Sequence, residues 1–126
     1  MTTKVIRENF HTVTPYLIVT DADPLVVFVT IAFGAKETYR AIGADGGTHV
    51  EVQIGDSIVM IGGSGGAPLP TTLFLYVDDV DGTYNRALAA GANSVEELNN
   101  TNTNERREAV QDLYGSCWYI AKPIEA

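Results

Sequence analysis

At 126 residues the chain has the length of one domain, enough to bury a core and too short for a separate regulatory module. Its 45% apolar and 19% charged residues are those of a folded globular protein, which excludes a disordered chain. Sixteen acidic against eight basic residues give a net charge of -8, a surface potential that repels phosphate backbones and anionic headgroups and so argues against a nucleic-acid partner.

Met1-Thr2-Thr3-Lys4 lacks the basic-then-apolar pattern of a secretion signal. The longest apolar run, 25–33 with one Thr, is about half of the roughly 20 residues that cross a membrane. A cytoplasmic protein without a membrane partner is therefore expected. Cys117 is the lone cysteine, so no internal disulfide forms, and two His with one Cys cannot build a zinc finger or ribbon.

In chain order, residues 14–19 are rich in β-branched and aromatic side chains and predict a strand. Asp21 or Asp23 then caps a helix, with Pro24 at its first position and Gly34 as its stop. Strands follow over 36–42, 48–54 and 57–61, separated by turns at Asp45-Gly46-Gly47 and Gly55-Asp56. The glycines of 62–70 invite a phosphate-loop reading, but no Gly-Lys-Ser/Thr follows and the next segment is a strand, so a flexible linker is expected. The second half repeats the order. A strand over 72–77 leads to a helix over 82–90, capped by Asp81, stopped by Gly91 and turning Tyr84, Ala87 and Leu88 inward. Strands over 94–98, 106–112 and 117–121 complete the unit, with Asn/Thr-rich 99–104 as a mobile loop and Leu113-Tyr114-Gly115-Ser116 as the last turn.

The duplication is visible in the residues themselves. Leu17-Ile18-Val19-Thr20-Asp21-Ala22-Asp23 aligns with Leu75-Tyr76-Val77-Asp78-Asp79-Val80-Asp81, and Phe33-Gly34-Ala35 with Ala90-Gly91-Ala92. A single α+β domain of two βαβββ modules follows, one over about 12–62 and one over about 71–122, joined by the linker at 62–70.

Val13-Thr14-Pro15-Tyr16-Leu17-Ile18-Val19, Ala32-Phe33-Gly34-Ala35, Ile54-Gly55-Asp56-Ser57, Val77-Asp78-Asp79-Val80-Asp81 and Ala89-Ala90-Gly91-Ala92, in this order and spacing, resemble the PhnB-like branch of the glyoxalase/bleomycin resistance/dioxygenase (vicinal oxygen chelate) superfamily. Asp112-Leu113-Tyr114-Gly115-Ser116-Cys117-Trp118 is similar to the family's Asp-Pro-Phe-Gly-His-x-Trp close, with Leu113 in place of Pro and Ser116 in place of His. The resemblance implies cup-shaped mixed sheets that pair, within a chain or across a dimer, around a metal or ligand site. It also implies that the metal-ligand positions of metal-dependent members fall on Thr14, Met60, Thr72 and Tyr119. None of these is a His, Asp or Glu, so no metal and no cofactor are expected.

With Gly55-Asp56 as the turn, Ile54 opposes Ser57, Gln53 opposes Ile58, Glu51 opposes Met60 and His49 opposes Gly62, which puts His49, Glu51 and Gln53 in the cup with Met60. His49 and Glu51 lie about 7 Å apart along the strand. Three roles are open to them: a general base oriented by its carboxylate, a pair made for stability alone, or two ligands of a metal completed by another chain. Alternation also puts Thr72, Phe74 and Tyr76 on one face and Cys117 and Tyr119 on another. With Tyr16, Ile18, Ile58 and Met60 they would form an aromatic pocket for a flat or hydrophobic small molecule, or an ordinary packed core. Cys117 reads as inert burial rather than a nucleophile, His11 as a surface or interface residue, and Trp118 as packing on a helix. Arg106 and Arg107 read as ion-paired locally with Glu105 and Glu108, or as reaching an anionic ligand.

The first helix, with Leu25, Val26, Val27, Phe28, Val29, Ile31 and Phe33, has almost no polar face, which points to a homodimer. The function expected is small-molecule binding, as in ligand sequestration. The alternatives are a glyoxalase-type lyase, isomerase or dioxygenase, with metal or using His49 and Glu51, and a structural or interaction domain.

Overall fold

The computed structural model describes residues 5–43, 46–100 and 104–124, the side chains of 98–100 excepted. The first module is β1 (Tyr16–Val19), α1 (Ala22–Phe33), β2 (Lys36–Ile42), β3 (Thr48–Ile54) and β4 (Ser57–Gly63). The second is β5 (Thr72–Tyr76), α2 (Val80–Ala89), β6 (Asn93–Asn100), β7 (Glu105–Gln111) and β8 (Cys117–Pro123). Each makes a four-stranded mixed sheet, ordered β1-β4-β3-β2 and β5-β8-β7-β6. The first strand of each module runs parallel to the last, and the other pairs are antiparallel.

Asp21 caps α1, its carboxylate accepting from the Asp23 amide at 3.2 Å. Pro24 is thus the third helical residue, not the first, still within the turn whose amides have no helical acceptor. Gly34 stops the helix at φ 69°, its amide donating to the Thr30 carbonyl at 3.1 Å. In α2 the cap is Asp79 rather than Asp81. Its carboxylate accepts from the Gly82 amide at 2.9 Å, and a Cβ at position 82 would collide with it. Asp81 lies in the first turn, where its charge suits the helix dipole, and pairs with Arg106 at 3.0 Å. The buried side of α2 is Val80, Thr83 and Ala87, with Tyr84 and Leu88 packed at its margin.

Two expected loops are in part strand. Gly62 and Gly63 pair with His49 and Thr48, so the linker begins at Ser64. Asn99 and Asn100 pair with Arg107 and Arg106, whereas 101–103 of the expected loop, and Asp45 of the expected turn, lie outside the described residues.

The modules join through their helices. α1 and α2 pack on each other, and the Phe33 and Trp118 rings approach to 4.9 Å within one continuous core. Trp118 is fully buried, and its indole N–H donates to the Asp112 carboxylate at 2.8 Å. The other oxygen of Asp112 accepts from the amides of Tyr114 at 2.8 Å and Ser116 at 3.1 Å, which builds the turn between β7 and β8. The Tyr114 hydroxyl bridges back to the first module, donating to the Asp21 carbonyl at 2.7 Å.

This packing accounts for the composition of α1. Leu25, Phe28, Val29 and Ala32 are buried and Val26 and Phe33 lie against the core, leaving Val27 and Ile31 half exposed. The apolar helix is thus largely covered inside the chain and does not by itself call for a second subunit.

Candidate functional site

Strand alternation gives each sheet one side against the helices and one side away from them. Leu17, Val19, Val50, Val52, Val59 and Ile61 fill the helix side of the first sheet. On its other side the register places Tyr16 and Glu51 beside Met60, His49 beside Gly62, and Tyr39 beside Glu51. The pairing expected across Gly55-Asp56 holds residue for residue.

Glu51 is the centre of this first face. It is 1% exposed, and a buried carboxylate needs a paired cation and satisfied lone pairs. Its Oε2 is 2.8 Å from His49 Nε2, and Arg7 donates to both of its oxygens, at 2.7 and 2.9 Å. The Arg7 guanidinium holds the Glu51 carboxyl below the usual carboxylate range, so it stays ionised. Arg7 in turn lies 4.4 Å over the Phe10 ring. Tyr16 and Tyr39 flank the imidazole, with centroids 5.9 and 6.2 Å away. The Tyr16 phenol rests on Gly62, where a Cβ would come within 2.7 Å of its hydroxyl. A cavity of about 320 Å³ is lined by His49, Tyr16, Ile18, Thr48 and Gly62 among others. Gln53 shares the strand but is exposed, its amide donating to the Gly55 carbonyl at 3.1 Å.

The second face carries the aromatic residues. Phe74 stacks on Tyr119 at 5.5 Å and 12°, with Tyr76 5.3 Å from Phe74. Arg107 lies 5.2 Å over the Tyr119 ring and is held by Glu96 at 2.9 Å. The Tyr76 hydroxyl donates to Glu105 at 2.6 Å, which pushes the phenol pKa up. Thr72 is exposed, and Cys117 is half buried, its thiol pushed up by burial first and then by the charges of Glu96 and Asp112. Arg106 pairs with Asp81 and Arg107 with Glu96, while the charge of Glu105 also acts on Arg107 and that of Arg106 on Glu108.

The ten expected site residues thus separate into two groups. Tyr16, His49, Glu51, Gln53 and Met60 belong to the first face, and Thr72, Phe74, Tyr76, Cys117 and Tyr119 to the second. They do not close into one pocket within the chain, because the modules meet through α1 and α2. Sequence reasoning missed Arg7, Tyr39 and the Glu96–Arg107 clamp. Arg7 precedes the repeat, and only the need of a buried Glu51 for a cation could have pointed to it. A larger groove, about 960 Å³, runs along β5 between the Gly55-Asp56 turn and Thr83 and Arg86 of α2.

No family model matches the chain. It is 34% identical over 124 residues to the uncharacterised protein Mb0911c of Mycobacterium bovis, a match spanning 87% of this chain and 82% of that protein. Among solved structures, TioX from Micromonospora superposes with a TM-score of 0.76 at 28% identity, over 90% of this chain and 99% of TioX. A glyoxalase/bleomycin resistance protein/dioxygenase family enzyme from Burkholderia phytofirmans superposes with a TM-score of 0.71 at 17% identity, over 86% of this chain and 95% of that one. The chain belongs to one family with Mb0911c and has the fold of the glyoxalase/bleomycin resistance/dioxygenase superfamily. The ligand positions of the superfamily's metal-dependent members carry poor donors here. Thr14 donates its hydroxyl to the His11 carbonyl at 3.2 Å, Met60 offers a thioether, Thr72 a hydroxyl and Tyr119 a stacked phenol. Among the described residues no three His, Cys, Asp or Glu side chains converge. This set does not fit a divalent metal.

Proposed function

We propose that this protein binds a flat, largely apolar small molecule on its aromatic sheet faces and releases it unchanged, without a metal. The carrying observation is the stacked Phe74–Tyr119 pair, clamped by Arg107 and flanked by Tyr76, a rigid platform left open to solvent with Phe74 43% and Tyr76 64% exposed. Aromatic surface of this kind stacks on a flat ligand at little entropic cost. The protein works in this reading as a cytoplasmic homodimer, the first face of one copy closing over the second face of the other. The separation of the two faces within a chain supports that arrangement, as does the groove beside β5, an edge strand.

Catalysis is the second reading, favoured by one observation: Glu51 holds the His49 imidazole at 2.8 Å, as a carboxylate orients a general base. Against it, Glu51 is committed to Arg7, and Cys117 is kept a thiol. The two readings separate on a fluorescence titration with the neutral, flat dye Nile red. Binding is expected to saturate, to be unchanged by EDTA, and to weaken at least about tenfold in Tyr119→Ala and Phe74→Ala, as loss of a stacking partner in a desolvated site implies. Dye binding that needs a metal, or that ignores both substitutions, would overturn the proposal.

A further inference from the structure

The charge that neutralises Glu51 comes from outside the sheet. Arg7 belongs to residues 5–15, which form neither helix nor strand, and apolar residues of that segment stay undocked, with Val5 92% and Val13 83% exposed. The Arg7 side chain itself is 56% exposed, against 2% for that of Glu51. The carboxylate is therefore fixed by strand register and the cation is not. The Arg7 guanidinium is also caged like a ligand: two parallel hydrogen bonds to the carboxylate, Phe10 at 4.4 Å and Tyr39 at 5.8 Å. His49, the second partner of Glu51, also lines the cavity of about 320 Å³ with Tyr16 and Ile18, which has room for an apolar group. An acidic chain of net charge -8 attracts cations to such a site.

We propose that Arg7 is a tethered stand-in for a cationic ligand, and that the first face takes a small molecule bearing a guanidinium or amidinium group. The ligand's planar cation replaces the Arg7 fork on Glu51 while its apolar part enters the cavity beside His49. The N-terminal segment is then an internal competitor that ligand binding displaces. This rests on the reading of the sheet faces as ligand-binding surfaces and gives the first face a ligand class of its own.

The test is calorimetric titration of the full chain with benzamidine, and with neutral benzamide as control. Removing a competitor at millimolar effective concentration should raise benzamidine affinity at least about tenfold in Arg7→Ala, with no gain for benzamide. Glu51→Gln in the same background should take that affinity away. Arg7→Met, which keeps the contact with Phe10, repeats the measurement if Arg7→Ala does not fold. In the wild-type protein, the Arg7 Nε–H NMR signal should move toward the free-arginine position as benzamidine is added. Affinity unchanged or lowered in both Arg7 variants, or affinity indifferent to Glu51→Gln, overturns the inference. Nile red titration of the wild-type protein, whose first face is unaltered, reports the broader reading. Saturable dye binding with no benzamidine effect refutes this inference alone, whereas absent dye binding refutes the broader reading.

Discussion

Glu108 offers a quantitative test of the packing between the second sheet and its helix. It is 4% exposed on the helix side of β7, opposite Ile120, and its Oε2 has no hydrogen-bond partner among the described residues. Burial, with a smaller push from Asp81, raises its pKa from the ordinary 4.5 to about 7, Arg106 opposing. The folded state thus holds this proton more tightly than the unfolded chain does. Stability from this group is full below pH 4.5, falls as the pH rises toward 7 and levels off above it. At about 1.4 kcal/mol per pH unit, the loss approaches ~3 kcal/mol. Glu108→Gln removes the titration but keeps a polar group in the same place, so it should recover ~3 kcal/mol at pH 8 and nothing at pH 4.5. Urea unfolding of both proteins at several pH values between 4.5 and 8 measures this, since other titrating groups cancel in the difference. A difference that stays constant with pH, or a variant less stable at pH 8, would refute the reasoning.

Arg7→Ala should lower the urea midpoint at pH 7, because among the described residues it leaves the buried Glu51 carboxylate with His49 alone. Because Arg7 lowers the Glu51 pKa, that contribution is present above pH 4.5 and lost as the pH falls, so urea unfolding should show the variant and wild type converging in acid. Asp112→Ala strands three donors, the Trp118 indole and the amides of Tyr114 and Ser116. It should lower stability by roughly 3 kcal/mol, read as a fall in the urea midpoint. Gly62→Ala puts a methyl where the Tyr16 hydroxyl lies at 2.7 Å. It should displace the ring and shift the His49 imidazole NMR signals, while the helix-side core signals stay in place.

The fold was legible because it is written twice. Alternation around Gly55-Asp56 was enough to place His49, Glu51 and Met60 on one face, since pairing across a two-residue turn leaves no freedom of register. The capping residue of α2 was misread by two positions, because Asp78, Asp79 and Asp81 all look like caps. Only the absent Cβ of Gly82 distinguishes Asp79. The site was half legible. Alternation reports which face a side chain occupies and not which faces meet, so it leaves open whether Phe74 and Tyr119 join Tyr16 and Glu51 within a chain or across a dimer; within the chain α1 and α2 keep them apart. Arg7 was hidden for another reason: it acts from an irregular segment, where no period constrains position, and its partner is 44 residues away.

The central claim is that the aromatic faces hold a flat ligand by stacking, without a metal. A crystal structure of the protein grown with Nile red tests it most directly. The account predicts the dye on the Phe74–Tyr119 platform, under Arg107, with the first face of a second copy closing over it and no metal ion in contact. Dye bound elsewhere, or a metal ion coordinated between the faces, would contradict it.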